Sequence, residues 1–400
     1  MLTQRRGTRA LVLSITVGLV AAACGGGEPA APAGTAAPVA ATAAPSPTRT
    51  PSTVVEPFDE AALVAAAKKE GELVVYWHSS RVTDAAKNFE AKYGIKVKAT
   101  KVNTEEQSER VVREVDSKNV LVDAIGYEDG GLLLTKLLPE KYVTSYMPGD
   151  LASVIVENSR DPVIYQWQPR IFGYNTEVYG QTCPIKNIWQ LTEPKWKGKF
   201  IFRDPAVHSV QLAFFSTLIT QPKILEQAYL DLYGQALKTS EANAGWEFLK
   251  RLFKNDPVVI NSDDDVAEAV GAPGQKEPPI GLYVLAKHRD IKNKGLKVGV
   301  CAGLNPFEAY AYPIYALIVN GAPHPNAAKL WIHWVLSEEG VSPWTVKDMG
   351  YFSSNSKAPV HPDNQGTWAD WSKRAIFFDE LTAIKLRQQL RDYWLVNKTR

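Results

Sequence analysis

Cysteine, methionine and long apolar runs are all scarce in this chain of 400 residues. Three cysteines are too few for a small scaffold stapled by disulfides, and the Cys-x-x-Cys spacing of a cysteine-bound zinc is missing. The one extended apolar run, residues 10–23, falls short of the roughly 20 residues that a membrane-spanning helix needs. Charge of one sign is missing too: 45 Lys and Arg stand against 43 Asp and Glu, for a net charge of +2. No basic excess points to nucleic acid. Catalytic signatures are equally absent, with no Gly-x-Ser-x-Gly elbow, no His-Glu-x-x-His helix and no phosphate-cradling Gly-x-x-x-x-Gly-Lys loop. What is present is an ordinary globular composition, 45% hydrophobic and 22% charged, over a length that suits two domains.

The N-terminus reads as an address. Arg5, Arg6 and Arg9 precede the apolar run, which ends in small residues before Cys24, the layout of a secretory signal over residues 1–23. Val20-Ala21-Ala22-Ala23-Cys24, followed by three glycines, resembles a bacterial lipobox. That resemblance implies a lipidated Cys24 as the mature N-terminus and an extracytoplasmic protein held to the cell membrane. Residues 24–56, rich in Ala, Pro and Thr, have too little apolar bulk to fold and read as a disordered tether. Of the other cysteines, Cys183 and Cys301 either pair in an oxidising compartment or stay as separate buried thiols.

From residue 59 the pattern becomes regular. Helical spacing over 59–70, 82–93 and 105–117 alternates with β-rich runs at 73–77, 95–102 and 120–125, the signature of βαβ units on a parallel sheet. Further strands are expected at 171–174, 200–202, 280–284 and 314–319, with helices at 211–220, 224–233, 241–253, 326–336 and 376–395. Trp331 and Trp334 on the 326–336 helix read as core. No internal repeat occurs.

Five segments in order carry a family resemblance. They are the opening helix and strand with Lys68-Lys69-Glu70-Gly71, then Tyr174-Asn175-Thr176-Glu177, and Pro194-Lys195-Trp196-Lys197-Gly198-Lys199. Gly321-Ala322-Pro323-His324-Pro325 with Ala327-Ala328-Lys329-Leu330 follows, and then Leu336-Ser337-Glu338-Glu339-Gly340. Together they resemble the bacterial extracellular solute-binding proteins, in the branch that holds the ferric-ion binders. The resemblance implies a two-lobed α/β fold of periplasmic-binding-protein type II, with the ligand in a cleft between lobes. Lobe one would comprise residues 57–172 and 317–400, and lobe two residues 173–316. It also implies a monomeric substrate-binding lipoprotein, not an enzyme, that serves the permease and ATPase of an ABC importer.

Strand-to-helix turns supply the candidate contacts, because free N–H groups and helix dipoles face a ligand there. His78, Ser79, Ser80 and Arg81 form one such turn, Tyr127 and Glu128 a second, and Asp204, His208 and Ser209, beside Arg203, a third. Ferric binders of the resembled branch commonly use adjacent tyrosinates after the strand that corresponds to 280–284. This chain has Tyr283 alone there, with Glu308, Tyr310 and Tyr312 as further oxygen donors near the second crossing. The expected metal ligands are His78, Glu128 and Tyr283, holding Fe³⁺ with a synergistic anion as the transported ligand. The alternative in the same fold is a small organic anion, a carboxylate or phosphonate, held on the basic, hydroxyl-rich turns. A secreted hydrolase and a surface protein without a small ligand are the readings from other classes.

Overall fold

The computed structural model describes residues 53–56, 58–377 and 379–398. The expected signal, Cys24 and the tether up to residue 52 lie outside the described residues. Thirteen strands are described: β1 Thr53–Glu56, β2 Glu72–Trp77, β3 Lys96–Lys101, β4 Ala124–Tyr127, β5 Val143–Pro148, β6 Ile164–Asn175, β7 Phe200–Arg203, β8 Val258–Ile260, β9 Ile280–Val284, β10 Val298–Val300, β11 Ala309–Val319, β12 Phe352–Ser353 and β13 Ala375–Phe377.

Most of these strands follow from local chemistry. Asp59 caps the Glu60–Glu70 helix through Ala62 N at 3.0 Å, and Gly71 closes it with φ +82°, a left-handed conformation that glycine adopts at little cost. The chain then enters β2, in which Leu73, Val75 and Trp77 face one core and Tyr76 the other. Burial on both faces explains the near-continuous apolar run.

The sheet runs in the order β3-β2-β4-β11-β6-β9-β7-β8. β2 pairs in parallel with β3 and β4, and β7 in parallel with β8 and β9. Each half therefore places its first strand in the centre. Between the two triplets lie β6 and β11, long antiparallel neighbours from Ala309↔Ile171 to Tyr315↔Ile164. β11 pairs on to β4, and β6 to β9. The expected strands at 171–174 and 314–319 are the ends of these two, and both expected domain boundaries fall inside them.

Three local expectations are corrected. Residues 53–56 leave the expected tether and pair with β5 from Thr53↔Ser145 to Glu56↔Pro148; Thr53, Val54 and Val55 are β-branched and suit an edge strand. The expected strand at 120–125 begins instead at Ala124. Asp123 stops it short, because its carboxylate accepts from Val74 N at 2.7 Å and His324 N at 2.8 Å. The closing stretch is not one helix: Ala375–Phe377 pairs with β11, and the helix is Glu380–Asn397, capped by Asp379.

Cys183 and Cys301 are joined by a disulfide, which resolves the two alternatives for these cysteines. Trp331 and Trp334 are buried in the core, as expected. Among the described residues no helix is long and apolar enough to cross a membrane.

Candidate functional site

Six strands of the two triplets end on one cleft of about 570 Å³. His78 follows β2, Lys101 ends β3, Glu128 follows β4, Arg203 ends β7, Asn261 follows β8 and Val284 ends β9; all six line it. Four helices begin at its walls: Val82–Tyr93, Thr104–Asp116, Ser209–Thr220 and Asp263–Gly271. Ligands gather where strands end and helix N-termini point, because the dipoles and exposed N–H groups there favour negative charge.

One wall is built by His78, Ser79, Ser80 and Arg81. Neither ring nitrogen of His78 makes a well-formed hydrogen bond among the described residues. Burial, opposed by the Gly126 backbone, pulls the imidazole down to about 3, so it stands neutral at physiological pH. Ser79 Oγ accepts from Arg81 N at 3.3 Å, and Arg81 Nε donates to Asp348 Oδ2 at 3.0 Å.

The floor is formed by the crossing strands. Tyr312 donates to Gln168 and lies 3.5 Å from Glu128, whose other oxygen accepts from Thr104 Oγ1 at 3.2 Å. Burial raises the Glu128 carboxyl, against the pull of Arg203. Arg170, 1% exposed, grips Asp263 through two hydrogen bonds, one of 2.9 Å. Burial pushes Asp263 up, but Arg170 and Arg203 hold it below the usual carboxylate range.

The opposite wall is a charge network. Arg203 Nη2 donates to His208 Nδ1 at 2.6 Å, and Arg203 Nη1 lies 3.5 Å from Asp263. Burial and then Arg203 lower His208 to about 4. Ser209 donates through its N–H and Oγ to Glu105 Oε1, at 3.2 and 3.1 Å. Lys287 bonds Asp264 at 2.7 Å, while Arg289 reaches both Asp264 and Asp348 at 3.3 Å.

Of the residues expected from the sequence, His78, Ser79, Ser80, Arg81, Glu128, His208 and Ser209 come together in this cleft. Five do not. Tyr127 is fully buried with its hydroxyl 2.6 Å from Ser108 Oγ. Asp204 points away and accepts from Ala206 N and Trp394 Nε1. Glu308 accepts from Gly303 N and pairs with Arg374 at 3.2 Å. Tyr310 stacks on Phe214 with centroids 4.6 Å apart and donates to Val210 O.

Tyr283 corrects the expected metal trio. Along β9 successive side chains alternate, so Val284 lines the cleft and Tyr283 faces the core, 3.2 Å from His288 Nε2. Its ring fits because Gly173 of β6 has no side chain; a Cβ there would lie 2.1 Å from the Tyr283 hydroxyl oxygen. Burial raises its phenol far from the range in which a phenolate forms unaided. Tyr283 therefore does not join His78 and Glu128. Among the described residues no group of three or more His, Cys, Asp or Glu side chains gathers to hold a metal ion.

Sequence reasoning missed Lys101, Glu105, Gln168, Asp263, Lys287, Arg289, Asp348 and Tyr351. Ser262 followed by three aspartates after β8 was a readable N-cap signal. Asp348 and Tyr351 carry no local signal, since they reach the cleft from the segment after the Glu338–Thr345 helix.

The fold is shared with solved binding proteins. Iron-bound HitA from Pseudomonas aeruginosa superposes with a TM-score of 0.64 at 18% identity, over 81% of this chain and 99% of that one. AfuA from Actinobacillus pleuropneumoniae, with fructose-6-phosphate bound, gives 0.62 at 20% identity, over 82% and 98%. AgtB from A.tumefacien R10, in complex with agropinic acid, gives 0.59 at 18% identity, over 82% and 98%. These neighbours are binding proteins rather than enzymes. No curated protein matches the chain. Extracellular solute-binding proteins bind small ligands outside the cytoplasm and work with ABC transporter permeases and ATPases. Residues 84–375 match the model of that family, and this makes the chain a member of the bacterial extracellular solute-binding proteins.

Proposed function

We propose that this protein is a lipid-anchored receptor, attached through Cys24, that captures a small organic anion and delivers it to an ABC importer. Cleft size and lining carry the reading. A cavity of about 570 Å³ is in the range of small-molecule sites, roughly 300–1,000 Å³, and exceeds what a single coordinated ion occupies. Arg81, Lys101, Arg203, Lys287 and Arg289 balance five carboxylates on its lining, and four helix N-termini add the positive potential that favours carboxylate or phosphate groups. Neighbours of the same fold hold a sugar phosphate and an organic acid.

Ferric iron is the second reading, favoured by His78, Glu128, Tyr312 and Tyr351 on one cleft and by iron-bound HitA. The inward turn of Tyr283 weighs against it. In either case β6 and β11 act as the hinge of two lobes that close on the ligand.

Calorimetry and thermal unfolding with phosphorylated sugars, di- and tricarboxylates, phosphonates and chelated ferric ion test the proposal. An organic anion should raise the melting temperature and lower the radius of gyration in scattering. Arg203→Ala should weaken that anion about tenfold or more, the value of a charged hydrogen bond. Stabilisation by ferric ion alone, with a visible charge-transfer colour, would replace the anion by iron.

A further inference from the structure

A second cavity of about 500 Å³ adjoins the cleft, and Arg81, Arg289 and Asp348 line both. Asp348 stands at the border they share. It is 1% exposed, and its Oδ2 accepts from Arg81 Nε at 3.0 Å on one side and from Arg289 Nη1 at 3.3 Å on the other. The chain around it serves both spaces in turn: Lys347 and Met349 line the second cavity, and Tyr351 lines the first.

Charge separates the two. The cleft matches its five cations with Glu105, Glu128, Asp263, Asp264 and Asp348. The second cavity sets Arg81, Arg289, Lys292 and Lys347 against Asp348 and Asp363 only. Lys292 is taken by Asp363 at 2.6 Å, whereas Lys347 makes no ion pair among the described residues. Ile291, Met349 and Pro362 add an apolar surface beside these cations. A guanidinium has five N–H donors in a fixed fork; Arg289 spends three, on Asp348, Asp264 and Ala286 O, and Arg81 one on Asp348, so each keeps a donor to spare.

Resting on the anion reading above, we propose that the second cavity is a subsite for the far acidic group of an elongated dianion. One carboxylate or phosphate sits in the cleft, a spacer passes Asp348 over Ile291 and Met349, and the second acidic group meets Lys347 and Arg289. The ligand class is thereby narrowed from small anions in general to those with two acids separated by an apolar or hydroxylated chain.

A length series tests this. Linear α,ω-dicarboxylates of three to nine carbons, with inorganic phosphate as the short reference, are titrated by calorimetry into the wild type, Lys347→Glu and Ile291→Trp. Both substituted positions are exposed, so folding is unaffected, and thermal unfolding verifies it. In the wild type the affinity should climb at least about tenfold once the chain is long enough to reach the second cavity. Lys347→Glu should reverse that climb by charge and Ile291→Trp by filling the space, while phosphate and malonate bind as before. An affinity independent of length, or a climb that survives both substitutions, overturns the subsite and leaves the anion reading standing. Binding of ferric ion with no dicarboxylate or phosphate binding overturns the anion reading, and the subsite with it.

Discussion

The two strand triplets are built alike and stabilised differently. In the first, β2 is flanked by β3 and β4, and Trp77 packs edge-on against Tyr165 and Trp331, at centroid distances of 5.4 and 5.7 Å. Its turn offers the cleft hydroxyls, a neutral histidine and Arg81, which is tied to Asp348. In the second, β7 is flanked by β8 and β9, and phenylalanines 200, 202, 214 and 215 fill the same role as the tryptophans. Here a disulfide and the buried Arg170–Asp263 pair are added. The difference teaches that both walls tie their charges, Arg81 to Asp348 in the first and Arg203 to Asp263 in the second, because each buried charge must be held by its partner, while the disulfide is added in the second only.

The strongest way to break that comparison is to remove the tie found in the second half alone. Replacing both Cys183 and Cys301 by serine opens a loop spanning 118 residues of sequence and should cost about 4 kcal/mol. Urea denaturation followed by amide exchange should show β6, β7 and β9 weakened more than β2 and β4. Uniform loss would mean that the two halves share one stability.

Arg170→Met comes next. It strands Asp263 in a buried site, with Arg203 at 3.5 Å as its remaining partner, and should cost about 3 kcal/mol in the same denaturation. Changing both partners, Arg170→Met with Asp263→Asn, should recover part of that loss.

Two glycines test where the halves agree. An added Cβ at Gly126 would lie 2.3 Å from the Trp77 ring, and one at Gly173 would lie 2.1 Å from Tyr283. Gly126→Ala and Gly173→Ala should each cost about 1–3 kcal/mol by overpacking. A melting temperature unchanged in one of them would show that its aromatic ring can move aside.

The smallest effect is in pH. His288, in the second half, is lowered to about 4 by burial, against an ordinary value of about 6.5. Above pH 6.5 it is neutral in the folded and unfolded chain and contributes no pH dependence. Between 6.5 and 4 the unfolded chain binds a proton that the native one refuses, so stability falls as pH falls. Removing this group in His288→Asn should flatten that fall by about 1 kcal/mol or more between pH 6.5 and 4.5. A parallel curve would place the acid sensitivity elsewhere.

Much of the fold and part of the site were legible because they are local. Asp59 with Gly71 bounds a helix, and the turn after β2 could be placed because an apolar run of period two gives way to one of period 3.6. The same logic put His78 to Arg81, Glu128, His208 and Ser209 at strand ends, where the cleft lies. It failed at Tyr283. Strand alternation fixes only that Tyr283 and Val284 face opposite ways. Which of them meets the ligand depends on β9 lying beside β6, where Gly173 leaves room for a ring.

What the sequence determined by itself, then, is the alternation of strands and helices, the capped turns and the family. These depend on neighbours within a few residues or on motifs in order along the chain. Only the tertiary structure decided that Arg81 meets Asp348 from 267 residues away, that Glu105 caps the Ser209–Thr220 helix across 104 residues, and that Cys183 reaches Cys301. The reason is physical. A charge or thiol has no preferred partner along the chain, and its pairing is set by which strands and helices pack side by side once the apolar faces are buried.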